Sequence, residues 1–154
     1  MVTRYSRFDL EAAGPDCYRV KTQSSGLATM FRVLVIDDSM LIRHTVCRFM
    51  EERGFEVEAV ANGLAALEPV RLRPPDLIVT DLQMPGMTGG ELIAYLKARQ
   101  QTAAIPIVVL TGRRSGRPTE STEGADFVIY KDIDIVDQLD RAVNSLVPCR
   151  TTVE

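Results

Sequence analysis

The sequence is poor in the residues that staple, metallate or anchor a protein. Cys17, Cys47 and Cys149 are an odd number of cysteines without CxxC or Cys/His spacing. Neither a disulfide framework nor a zinc site is supported, and the reducing cytoplasm is the expected compartment. The single histidine, His44, has no matching ligand and reads as a structural or exposed side chain; Cys47 beside it fits simple burial. There is no basic excess: 18 Lys and Arg stand against 21 Asp and Glu, a formal charge of -3. Direct DNA binding is therefore not expected. No apolar run approaches the roughly 20 residues that span a bilayer. Arg4, Arg7, Asp9 and Glu11 interrupt the N-terminus where a signal peptide would be apolar, so no membrane association is expected. The absence of a GxxxxGK[ST] loop leaves nucleotide binding unsupported.

What is present is material for one core: 45% of the 154 residues are hydrophobic, enough for a single domain of ordinary size. Residues 1–29 are polar and mixed. Ser6, Phe8 and Leu10 alternate on one side of a Gly14-Pro15-Asp16 turn, and Tyr18 and Val20 on the other. That is the pattern of a marginal hairpin or, more simply, of a disordered extension, since an isolated two-stranded hairpin is barely stable in water. Ser24-Ser25-Gly26 reads as a linker.

From Met30 to Pro148 the pattern becomes regular, with a short tail over 149–154. Buried strands are expected at Phe31 to Ile36, Phe55 to Val60, Asp76 to Asp81, Ile105 to Leu110 and Phe127 to Tyr130. Helices are marked by Ile42, Val46, Phe49 and Met50, capped by Asp38 or Ser39 and stopped at Gly54; by Leu64, Leu67 and Val70; by Leu92, Ile93 and Leu96; and by Val136, Leu139, Val143 and Leu146. Pro69 should kink or end the second of these. Alternating strands and helices predict an α/β fold, a doubly wound parallel sheet covered on both faces. The exception is Arg113 to Glu123, which holds no large apolar residue and cannot bury a helix face. A loop or a very short helix is expected there.

Every strand but the second ends on a polar residue: Asp37 and Asp38, Asp81, Thr111 and Lys131. In a parallel sheet these ends share one edge, where residues distant in sequence converge on one site. Taken singly each has a plain reading. Asp37 and Asp38 can cap a helix, Asp81 can cap the Met84-Pro85-Gly86 turn, Thr111 can end a strand, and Lys131 can be a solvated surface lysine. Together they carry more. Carboxylates packed at one edge repel by roughly 4 kcal/mol per pair at about 4 Å and an effective dielectric near 20, so a cation must neutralise them. Mg2+ suits oxygen ligands and keeps phosphate oxygens in its shell. Lys131 adds a point charge for phosphate and Thr111 a hydroxyl donor. A carboxylate nucleophile with these partners makes a phosphoryl-transfer site in which Asp81 is phosphorylated.

At these residues the chain resembles the receiver domain of bacterial two-component response regulators. The resemblance spans roughly Phe31 to Val147 and rests on Val-Leu-Val-Ile-Asp37-Asp38-Ser, Asp81-Leu-Gln-Met-Pro-Gly-Met-Thr-Gly-Gly-Glu-Leu, Val-Val-Leu-Thr111-Gly and Tyr-Lys131. It implies a five-stranded flavodoxin-like sheet of order 2-1-3-4-5. It implies Asp81 as acceptor of phosphate from a sensor histidine kinase or phosphotransfer protein, Asp38 as a direct Mg2+ ligand, Asp37 as a ligand through water, and the Gln83 carbonyl as a further ligand. Thr111 and Lys131 would bind the phosphoryl oxygens, with Leu82, Gln83, Gly112 and Arg113 flanking the site. Such a protein is a phosphoacceptor rather than an enzyme, and it signals to a downstream protein by contact.

Three positions depart from the family pattern. Asp132 stands where proline usually follows the lysine, which predicts a trans bond and a reshaped loop. Val128 replaces the usual aromatic three residues before the lysine. The family's fourth helix falls on Arg113 to Glu123, where it should be short or missing. These departures leave an alternative, a receiver-like binding module that signals without phosphate, against which the complete polar set argues. A hydrolase with an Asp nucleophile ranks lower, because Gln83 occupies the place of a second acid/base carboxylate. About seven residues follow Val147, so a single-domain receiver without an output domain is expected.

Overall fold

The computed structural model describes residues 20–22, 28–112, 122–131 and 134–147. Seven strands and four helices lie among them. In chain order they are β1 (Val20–Thr22), β2 (Ala28–Met30), β3 (Arg32–Ile36), α1 (Met40–Glu52), β4 (Glu56–Val60), α2 (Gly63–Leu72), β5 (Leu77–Asp81), α3 (Gly89–Lys97), β6 (Ile107–Thr111), β7 (Phe127–Tyr130) and α4 (Ile135–Leu146). β3 to β7 form one parallel sheet in the order β4-β3-β5-β6-β7, the expected 2-1-3-4-5 arrangement counted within that sheet.

β3 and β5 are buried at every residue, which is why Val33–Ile36 and Leu77–Val79 read as unbroken apolar runs. Their side chains alternate between two cores. Val33, Val35, Leu77 and Val79 pack with Val46, Phe49 and Met50 of α1 and with Leu139, Ala142 and Val143 of α4. Leu34, Ile36 and Ile78 pack with Ala66 and Val70 of α2 and with Leu92, Ile93 and Leu96 of α3. The sheet is thus doubly wound, with one helix pair on each face. β4 lies at an edge, and there Glu56 and Glu58 alternate with Val57.

The caps follow local chemistry. Ser39 accepts from the Ile42 N–H at the start of α1, and Gly54, at φ +84°, turns the chain after its end. Two expectations on helix faces are corrected. Leu64 and Val136 are exposed; the buried stripe of α2 runs through Gly63, Ala66 and Val70, and that of α4 through Leu139, Ala142 and Val143. On α2 the packing is close at Gly63, where a Cβ would stand 3.0 Å from Met87 Cγ. Nor does Pro69 end its helix, since α2 runs on to Leu72.

At the N-terminus, β1 and β2 pair antiparallel, Val20 opposite Met30. This pairing places Ser24-Ser25-Gly26 in the connection and differs from the expected one around Gly14-Pro15-Asp16, which lies outside the described residues. Between β6 and β7 the described residues hold a turn with Gly124 at φ +88° and no helix. Residues 113–121 and Asp132, on which the expectations for the loop and the trans bond fall, lie outside the described set.

Candidate functional site

The strand ends converge as the sheet order requires. β3 delivers Asp37, β5 ends on Asp81, and β7 runs directly into Lys131. Asp37 is fully buried and Asp81 nearly so, whereas Asp38 is exposed. One carboxylate oxygen from each of the three lies within 4.8 Å of the others. The Lys131 ammonium bridges two of them, 3.0 Å from Asp37 Oδ2 and 3.1 Å from Asp81 Oδ2. Main-chain donors hold the outer oxygens: the Ser39 N–H donates to Asp37 Oδ1 at 2.8 Å and the Gln83 N–H to Asp81 Oδ1 at 3.3 Å.

Electrostatically this cluster is unfinished. Among the described residues three carboxylates face one ammonium, so the cluster keeps an excess of negative charge. Burial, then the neighbouring Asp37 charge, push the Asp81 carboxyl up to about 6, against the pull of Lys131 and the Gln83 N–H. For Lys131, burial favours the neutral amine, but contact with Asp37 and Asp81 outweighs it and raises the ammonium above its ordinary value. A donor set made wholly of carboxylate oxygen, carrying more negative charge than one ammonium cancels, fits a hard divalent cation.

Thr111 stands at the same edge but is tied to the cluster through the backbone. The Lys131 N–H donates to its carbonyl at 2.9 Å, while its hydroxyl lies 3.4 Å from the Gly112 carbonyl. Gln83 enters the turn after β5 through its N–H.

A family model, the response regulator receiver domain, matches residues 33–144, which carry these strand ends. The chain belongs to that family. Among curated relatives, the receiver is 35% identical over 102 residues to the phosphate regulon transcriptional regulatory protein PhoB of Escherichia coli, covering 65% of this chain and 44% of the relative. It is 42% identical over 103 residues to a protein-glutamate methylesterase/protein-glutamine glutaminase of Desulfotalea psychrophila, covering 64% and 28%. The chain thus spans less than half the length of these relatives. Among solved structures it resembles the Vibrio cholerae chemotaxis protein CheY4 (TM-score 0.67, 30% identity, 77% of this chain and 99% of that one). It also resembles the receiver domain of a signal transduction histidine kinase from Syntrophus aciditrophicus (TM-score 0.70, 31% identity, 80% and 95%).

Two supports of this receiver site had not been read from sequence. Gly89 starts α3 hard against the end of β5: a Cβ there would fall 2.2 Å from the Asp81 carbonyl oxygen, and its N–H donates to the Leu82 carbonyl at 2.8 Å. Thr88 and Glu91 close a capping box around it, visible in sequence as Thr-x-x-Glu. Arg43, one turn into α1, donates to the Asp37 carbonyl at 2.7 Å, a contact that spacing alone does not announce.

Proposed function

We propose that this receiver accepts a phosphoryl group on Asp81 from a sensor histidine kinase or phosphotransfer protein, with Mg2+ as cofactor. It acts as a phosphoacceptor in the cytoplasm and passes the signal to a downstream protein by contact. The observation that carries the reading is the under-neutralised cluster: among the described residues, three carboxylates within reach of one cation, with a single ammonium between two of them. Asp38, Asp81 and the Gln83 carbonyl would hold Mg2+ directly and Asp37 through water. The ion would supply positive charge to the phosphoryl oxygens as they approach.

The rest of the chemistry belongs to the chain. The Asp81 carboxylate attacks the phosphorus of a phosphorylated imidazole in line; the P–N bond breaks as the P–O bond forms, and the imidazole leaves with its electron pair. Lys131, now paired with Asp37 and Asp81, turns to a phosphoryl oxygen, and Thr111 donates its hydroxyl to another.

The test is intact-mass analysis after incubation with Mg2+ and acetyl phosphate. A gain of one phosphate in the wild type and none in Asp81→Asn is expected. No gain, or a gain that survives the substitution, overturns the reading in favour of a binding module.

A further inference from the structure

β7 is an edge strand, and the peptide just before Lys131 is held on both sides. On the inner side the Lys131 N–H donates to the Thr111 carbonyl of β6. On the outer side Tyr130 presents an N–H and a carbonyl that no strand among the described residues pairs, since alternate residues of a parallel strand face opposite neighbours. The Gln138 side chain of α4 takes both: its Oε1 accepts from the Tyr130 N–H at 3.0 Å, and its Nε2 donates to the Tyr130 carbonyl at 2.9 Å. The same Nε2 lies 3.3 Å from the carbonyl of Asp134, the residue that caps α4, and the Gln138 N–H donates to that carbonyl too. One amide therefore stands in for a sixth strand at a single residue, the one next to the lysine.

We propose that Gln138 is a positioning residue for Lys131, fixing the backbone from which the ammonium reaches Asp37 and Asp81 and tying that backbone to the first turns of α4. This rests on the reading of Asp81 as phosphoacceptor, because the lysine is then the group that must meet the phosphoryl oxygens. A lysine has four rotatable side-chain bonds, so its reach to two carboxylates depends on an origin that does not drift. β6 restrains Tyr130–Lys131 from one side only; Gln138 supplies the other.

The experiment is a double-mutant cycle with acetyl phosphate and Mg2+, comparing wild type, Gln138→Leu, Lys131→Ala and the double variant. Leucine keeps the volume and removes both hydrogen bonds; Gln138→Met repeats the test should leucine disturb α4. Gln138→Leu is expected to slow phosphorylation by about five- to twentyfold when Lys131 is present, and by less than about twofold when it is absent. Equal slowing in both backgrounds, or none in either, overturns the proposal. A second readout needs no phosphate. The Lys131 ammonium, paired with two carboxylates, should give a protected 15N–1H signal without Mg2+, and its solvent exchange should quicken at least about threefold in Gln138→Leu. An unchanged exchange rate overturns the positioning role. Should the wild type take no phosphate, the phosphoacceptor reading fails and the ammonium signal alone decides the part played by Gln138.

Discussion

The two edges of the sheet both gather charge, and they treat it in opposite ways. At the amino edge, buried Arg32 pairs with Glu58, lies 3.9 Å from Glu56 and donates to the Arg73 carbonyl, while its own N–H donates to Asp76 at 2.9 Å. Arg73 in turn holds both oxygens of Glu56, at 2.6 and 3.0 Å. Guanidinium forks meet carboxylates that water still reaches, and this edge is complete as it stands. At the carboxyl edge, among the described residues, a single ammonium serves Asp37 and Asp81, Asp38 stands beside them, and negative charge is left over. The difference teaches where function lies. A charge cluster that closes on itself holds the fold, and one that stays open awaits a ligand.

The largest effect that sharpens this contrast is on metal affinity. Asp37→Asn removes one of three carboxylates from a site facing a divalent ion, and calorimetric titration should show Mg2+ binding weakened about 100-fold, roughly 2.7 kcal/mol. Arg32→Ala, at the closed edge, should leave that affinity within about twofold.

Stability divides the edges next. Arg32→Ala should cost about 2 to 3 kcal/mol by urea unfolding, less than for a fully buried pair because Glu56 and Glu58 keep water, and Mg2+ should recover none of it. Lys131→Ala should cost a similar amount without Mg2+, since it strands Asp37 and Asp81, and regain at least about half when Mg2+ is added. Recovery of the Arg32 variant by Mg2+ would break the comparison.

A third effect comes from proton linkage. The folded protein holds the Asp81 proton up to about pH 6, whereas an ordinary Asp carboxyl releases it near 3.8, so between these values the folded state binds more protons. This contribution to stability is fully present below the lower value and is lost as pH rises through the upper one. Without Mg2+, Asp81→Asn should flatten the decline in unfolding midpoint across that window and raise the midpoint at pH 8. A decline of the same slope in the variant would assign it to another group. The smallest effect concerns a support: Thr88→Ala removes the cap of α3 beside Asp81 and should lower stability by about 1 kcal/mol in a urea titration, with Mg2+ affinity little changed.

How much of this was legible in the residues differs by kind of interaction. β3 and β5 announce themselves because strands covered on both faces are apolar through their middle, and Asp37, Asp81 and Lys131 announce themselves because each follows or ends an apolar run. The buried faces of α2 and α4 were partly misplaced. Large side chains at Leu64 and Val136 suggest burial, yet both are exposed and the smaller Gly63, Ala66 and Ala142 are buried instead. The capping box at Thr88 and Glu91 was written in the spacing but not read. Arg43 on the Asp37 carbonyl and Gln138 on Tyr130 had no signature, because a side chain bonding to main chain elsewhere leaves no periodicity and asks nothing particular of the residue it touches.

The central claim, that the open edge is chemically competent at Asp81, is tested most directly by locating the phosphate. Borohydride reduction of an acyl phosphate converts that aspartate to homoserine, which peptide mass spectrometry places in the chain. After treatment with acetyl phosphate, homoserine is predicted at position 81 when Mg2+ is present and at no position when it is chelated. Homoserine at position 37 or 38, or none with Mg2+ present, would contradict the account.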